Sequence, residues 1–291
     1  MPAHDRIKLL DKERIWAAML YPSGTLVGLY ATAPSTARAL AEAYLDWIAD
    51  YCAPHRDRLF FAAPLPLDDI AWAARHVPRT VARGARAIAV RPNRASGQRW
   101  DEPGLDAFYA AVQEAGVPLV FHETTGDPDT AAGDRYGMAR PDYYAFSHII
   151  SHPFEQMFAA MSVICGGVLE RFPRLRVGFA EAGCSWVPYW LARLDAHFEH
   201  RILGRQMPIR MKPSDYFRRQ CFVTCDPDDA TLPLAVAGLG AEAIVFATDY
   251  PHFDSSGGAV QSFSAIPGIT PEDRRKILWQ NAERIYRLAA E

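Results

Sequence analysis

Short apolar runs alternate with longer amphipathic stretches along this chain. Seven runs read as strands: Ala17–Tyr21, Leu59–Ala63, Ala85–Val90, Pro118–His122, Leu175–Ala180, Cys221–Cys225 and Ala243–Thr248. They are apolar almost without alternation, as expected of parallel strands buried on both faces. Helix-length segments lie between them. Leu40, Tyr44, Trp47, Ile48 and Tyr51 recur at helical spacing after Ser35, a candidate N-cap. Further helices are predicted from Pro153 to about Arg171 and from Trp186 to about Leu203. Another opens at Thr270, with Pro271 at its first position and Glu272 and Asp273 in its first turn.

This alternation implies right-handed parallel crossovers, hence an α/β barrel or an open doubly wound sheet. No glycine-rich phosphate loop follows any of the strands, which weakens the nucleotide-binding sheet and favours a TIM (β/α) barrel. With no internal repeat, low-complexity tract or long linker, residues 1–291 are expected to form one domain. A closed barrel needs eight strands, and seven are recognisable. The missing strand is the first, because the chain opens with the charged, amphipathic stretch Arg6–Arg14. A barrel short of one strand exposes two sheet edges, a liability for aggregation. The helical N-terminus is therefore expected to cover the gap, or the chain to associate with another, as a homodimer or with a different chain over the open edge.

Composition narrows the function classes. Hydrophobic residues make up 49% of the 291, enough for a sizeable core, and the formal net charge of -3 leaves no footprint for nucleic acid or an anionic membrane. No apolar run reaches the roughly 18 residues that span a bilayer, and the charged N-terminus does not read as a signal peptide. Five widely spaced cysteines do not read as a disulfide framework. A cytoplasmic enzyme acting on a small molecule is the expectation.

In barrels, catalytic groups sit where strands end. The fourth run ends in Phe121-His122-Glu123-Thr124 and the fifth in Phe179-Ala180-Glu181-Ala182-Gly183-Cys184. The sixth ends in Thr224-Cys225-Asp226 and the seventh in Thr248-Asp249-Tyr250-Pro251-His252. Gathering an imidazole and several carboxylates is costly unless they pair or bind a cation. The set suits a divalent zinc, manganese or iron ion, zinc foremost. Each residue alone also has a plainer reading: His122 as a satisfied structural imidazole, Asp249 as a helix cap or turn former.

Several longer blocks resemble the amidohydrolase-related (amidohydrolase 2) family of metal-dependent TIM barrels. They are Ser151-His152-Pro153-Phe154-Glu155-Gln156, the run Gly166–Val177, Glu181–Trp186, Ser214–Cys221, Thr248–His252 and Asn281–Tyr286. The resemblance covers almost the whole chain and implies a hydrolase or a non-oxidative decarboxylase of a small aromatic or keto acid. It implies that His122 is the metal-binding histidine of the middle strand and Asp249 the carboxylate of the last. Glu181 stands where the decarboxylases carry another histidine, as ligand or general base, or as a cap of the helix opening at Trp186. His152 points into the mouth for substrate, or is a turn residue. His252 orients Asp249 and helps move protons. The family's first strand carries a His-x-His or Asp-x-His pair, and none is found here; His4 lacks an apolar strand and is expected to be a disordered terminal residue. A second reading therefore stands beside the first: a metal-poor barrel that works as a metal-free enzyme or as a binding or partner subunit.

Three other features draw notice. Arg91 directly follows the third strand and suits a substrate carboxylate. The stretch Thr124–Tyr144 reads as a long loop able to cover the site. Cys184 and Cys225, with no base beside them in sequence, read as buried structural thiols.

Overall fold

A computed structural model of the chain describes residues 1–30, 32–93, 98–122, 144–252 and 257–288. The loop expected from residue 124 to 143 lies outside them, as does Glu123. Seven parallel strands are joined in sequential order: β1 (Ala18–Leu20), β2 (Leu59–Pro64), β3 (Ala87–Val90), β4 (Leu119–His122), β5 (Val177–Ala180), β6 (Cys221–Cys225) and β7 (Ile244–Phe246). They curl into a part-closed barrel with helices around it, and each expected run coincides with one strand, β2 going one residue past its expected end to Pro64.

Alternation along the strands separates two packing layers. Ala62, Ala87, Ala89, Val120, Ala180, Phe222 and Val245 cluster with Ile285 and Tyr286. Their neighbours in sequence, among them Ile88, Val90, Leu119, Phe121, Phe179, Val223 and Ile244, pack with the helices. The first layer is mostly alanine, and the space so left takes the rings of Phe222 and Tyr286, set edge to face at 5.7 Å. Gly178 is part of that arrangement, since a Cβ there would come within 2.3 Å of the Phe222 ring.

The barrel is open on one side. Among the described residues β1 pairs only with β2, and β7 only with β6. β1 is half-buried along its length, whereas β2 to β6 are buried throughout. Segments from both termini reach across this side. Trp16 meets Trp279 edge to face at 4.8 Å, the hydroxyls of Tyr21 and Tyr286 lie 2.8 Å apart, and Gly258 N–H donates to Glu13 at 2.8 Å.

The helices depart from expectation in instructive ways. The N-terminal segment is a helix over Ala3–Lys12, so His4 is helical, with its ring 6.5 Å from that of His55. The helix Pro34–Cys52 has Ala33, not Ser35, at its N-cap, because Pro34 takes the first position. Its core face is Ala37, Ala41, Leu45, Ile48 and Cys52, while Leu40 and Trp47 are exposed. Small alanines let the helix approach the sheet closely and turn the large side chains outward. Pro153 does not start a helix but lies inside the one spanning Tyr144–Cys165, and Val168–Arg171 forms a separate turn. The helix from Trp186 ends at Glu199. At Thr270 the forecast is met: its hydroxyl accepts from Asp273 N–H, and Pro271 opens the helix.

Candidate active site

His122 and Ala180 are register partners at the ends of β4 and β5, and the polar chain of β5 begins one residue later at Glu181. Glu181 and Asp249 both adopt left-handed backbone, at φ 64° and 52°. For residues with a side chain that conformation costs on the order of 1 kcal/mol or more. It turns each carboxylate sharply at the strand end. Thr224 on β6 holds the first turn, its hydroxyl accepting the Glu181 N–H at 3.1 Å. The second closes through His252 N–H to the Asp249 carbonyl at 2.9 Å, which brings the His252 ring back over Asp249.

The side chains meet accordingly. His252 Nδ1 lies 2.9 Å from Asp249 Oδ1 and 3.2 Å from Glu181 Oε1. The other Glu181 oxygen, Oε2, lies 3.2 Å from His122 Nδ1. Ser23, three residues beyond β1, places its hydroxyl 3.2 Å from His252 Nε2. Among the described residues Glu181, Asp249 and His252 form a group whose donor atoms all lie within 4.8 Å of one another, close enough for one cation to touch all three. Two carboxylates and an imidazole, with the second imidazole nitrogen held by a hydroxyl, have the chemistry of a divalent-metal site with its outer support.

Burial pushes the Glu181 carboxyl up, but His122, His252 and His152 together outweigh it and hold it below the usual range. It is therefore ionised at neutral pH. His152 is pulled down to about 4, by burial first and then by His148, whose ring stacks on it at 4.0 Å one helical turn away. A neutral imidazole thus faces the cavity beside Glu181. The Tyr21 ring lies nearly parallel to His122 at 5.1 Å, and burial keeps its hydroxyl neutral.

All these groups line one cavity of about 1010 Å³. His122, Glu181, Asp249, His252 and His152, singled out from the sequence, are brought together there. Arg91 is not: it is 1% exposed and is not among the described residues lining this cavity. Cys184 and Cys225 are buried and their thiols are pushed far up, chiefly by burial, as structural thiols should be. Tyr21 and Ser23 follow β1 directly, so reading the end of that strand like the others finds them. Thr224 stands at the end of the sixth run, whereas Tyr286 and Gln156 lie on no strand end. Gln156, buried in mid-helix, donates to the carbonyls of Phe121 and Ala180 at 3.0 and 2.8 Å and so ties together the ends of β4 and β5.

The chain is similar to the γ-resorcylate decarboxylase of Polaromonas, with 27% identity over 97% of this chain and 86% of that one. It resembles the structure of 5-carboxyvanillate decarboxylase from Sphingomonas paucimobilis, with a TM-score of 0.84 and 24% identity over 98% and 83% of the two chains. A third likeness is to a dihydroxybenzoic acid decarboxylase of Polaromonas, solved with bound manganese and the inhibitor 2-nitroresorcinol; its TM-score is 0.82, with 24% identity over 99% and 86%. The family model described as Amidohydrolase matches residues 23–288, from just after β1 to the last helix, and the chain belongs to that family.

Proposed function

We propose that this protein is a divalent-metal-dependent, non-oxidative decarboxylase of a small aromatic carboxylic acid. The observation that carries the reading is the meeting of Glu181, Asp249 and His252 within 4.8 Å at the strand ends. The decarboxylases among its relatives support it over hydrolysis. Glu181, Asp249 and His252 would hold the ion, with His122 on the far oxygen of Glu181. When bound, a divalent ion would anchor and polarise the oxygens of the substrate. Zinc is the ion expected from the sequence; an oxygen-rich donor set, and the manganese in the Polaromonas enzyme, favour manganese.

The reaction exchanges a carboxylate for a proton. An aromatic carbon takes up a proton, and the bond to the carboxylate breaks to release carbon dioxide, with no net redox change. Asp249, whose side chain is about one-quarter exposed, is the acid in this reading, taking up a proton from water and passing it to the ring carbon. Glu181 stays ionised and binds rather than shuttles. His152, neutral, offers the substrate a hydrogen-bonding nitrogen without a competing charge. We further propose that residues 1–291 act as one domain in the cytoplasm, and that a second copy covers the open edges of β1 and β7, which sedimentation at micromolar concentration checks.

The test is a titration of manganese and of zinc into chelator-treated protein, alongside carbon dioxide release from 2,6-dihydroxybenzoate. Weak, exchangeable binding is expected, with activity following metal content, and His252→Ala should lose both. His122→Ala should weaken binding less. Chelator-insensitive protein without stoichiometric metal would overturn the reading in favour of a metal-free barrel.

A further inference from the structure

The cavity is much larger than a single-ring acid needs. Beyond the cluster of Glu181, Asp249 and His252 it continues along the open side of the barrel, where Trp16, Trp47, Tyr51, Tyr250 and Trp279 line it together with Arg6. Arg6 stands on the helix Ala3–Lys12, and its guanidinium lies over the ring of Tyr250, 4.7 Å from the ring centre. Tyr250 adjoins Asp249, so this cation sits at the shoulder of the candidate active site.

Arg6 is half-buried yet has no carboxylate within ion-pair distance among the described residues, and its Nε is buried without a hydrogen-bond partner. Other half-buried arginines here are satisfied: Arg58 meets Asp11 and two carbonyls, Arg38 meets Asp68, and Arg274 meets the carbonyls of Phe263 and Ile266. The contact with Tyr250 occupies only the face of the guanidinium. Its N–H donors lie in the plane, in a fork that matches a carboxylate. Removing such a group from water without an acceptor is costly, and a ligand anion would remove the cost.

We propose that Arg6 anchors a second carboxylate, at the far end of an elongated aromatic acid whose reacting carboxylate lies at Glu181, Asp249 and His252. The aromatic side chains that line the same cavity suit stacked rings. The placement of the reacting end rests on the function proposed above; the anchoring by Arg6 is judged by binding alone.

The experiment is calorimetric titration of the metal-loaded protein with biphenyl-4-carboxylate and with biphenyl-4,4′-dicarboxylate. Wild type, Arg6→Gln and Arg6→Lys are compared, with urea unfolding midpoints to check each fold. In the wild type the second carboxylate should tighten binding by about tenfold or more. That gain should vanish in Arg6→Gln and persist in part in Arg6→Lys, while the monocarboxylate binds all three alike. Equal binding of the two probes to the wild type, an undiminished gain in Arg6→Gln, or no binding of either probe overturns the proposal. Failure of the decarboxylase reading looks different: no aromatic acid releases carbon dioxide, while the Arg6-dependent gain remains.

Discussion

Two walls meet at the mouth of this barrel, and they are built differently. The wall of β4 and β5 presents His122 and Glu181 from strands buried on both faces, and Gln156 clamps the two strand ends from behind. The other wall presents Asp249 and His252 from a turn after β7, an edge strand, where side chains from the N-terminal part of the chain join in: Ser23 on His252, Arg6 on Tyr250 and Glu13 on Gly258. One wall is held by ladder bonds on both sides and by the core; the other lies on an edge strand and adds contacts from the N-terminal part of the chain. In the first, a substitution should damage stability and function together; in the second, chemistry can be lost while the fold stands. The ionised ligand lies on the firm wall and the proposed acid on the adaptable one, which is where a group that must give up a proton gains from room to move.

The sharpest way to break this comparison is Asp249→Asn. Turnover should fall roughly a thousandfold, as for loss of a general acid, while the urea midpoint barely moves. A collapse of the fold in that variant would show that the β7 turn is structural after all.

Acid should act on the firm wall. The pKa of His152 is depressed to about 4 in the folded protein, so the unfolded chain binds more protons between about pH 6.5 and 4. Its contribution is complete above about 6.5 and is lost as the pH falls towards 4, by at most about 3 kcal/mol. Glu181, also depressed, adds a loss of the same sign at lower pH. Urea unfolding of chelated protein across this range should show the slope, and His152→Gln should flatten its upper part.

Gln156→Leu should cost about 2 kcal/mol of unfolding free energy, for two lost hydrogen bonds to buried carbonyls. It should also lower turnover, because His122 and Glu181 lose their common brace. A stable variant of unchanged activity would mean that the ladder alone holds this wall.

The smallest effect is expected from Tyr286→Phe. The ring stays against Phe222, and only the hydroxyl contact to Tyr21 goes, worth about 1 kcal/mol. Because Tyr21 stacks on His122, nuclear magnetic resonance of the His122 ring should register the change even where stability hardly does.

Much of this architecture was written in the residue order. Continuous apolar runs separated by helix-length segments admit only parallel strands with crossovers, and the ionisable residues that close those runs must emerge at one end of the barrel. His122, Glu181, Asp249 and His252 were legible for that reason, as were the seven described strands. Tertiary structure alone decided the rest. Left-handed backbone at Glu181 and Asp249 sets which donor atoms converge, and it depends on Thr224 and on the turn closed by His252. Arg91 and Arg6 show the limit most plainly. Arg91 follows an apolar strand yet is enclosed away from the cavity, whereas Arg6, in a charged amphipathic stretch, is carried into the cavity wall by the helix Ala3–Lys12. Local sequence dictates which elements form, because periodicity and backbone preference act over a few residues. Which side chains share a cavity is a property of long-range packing, and only the folded chain settles it.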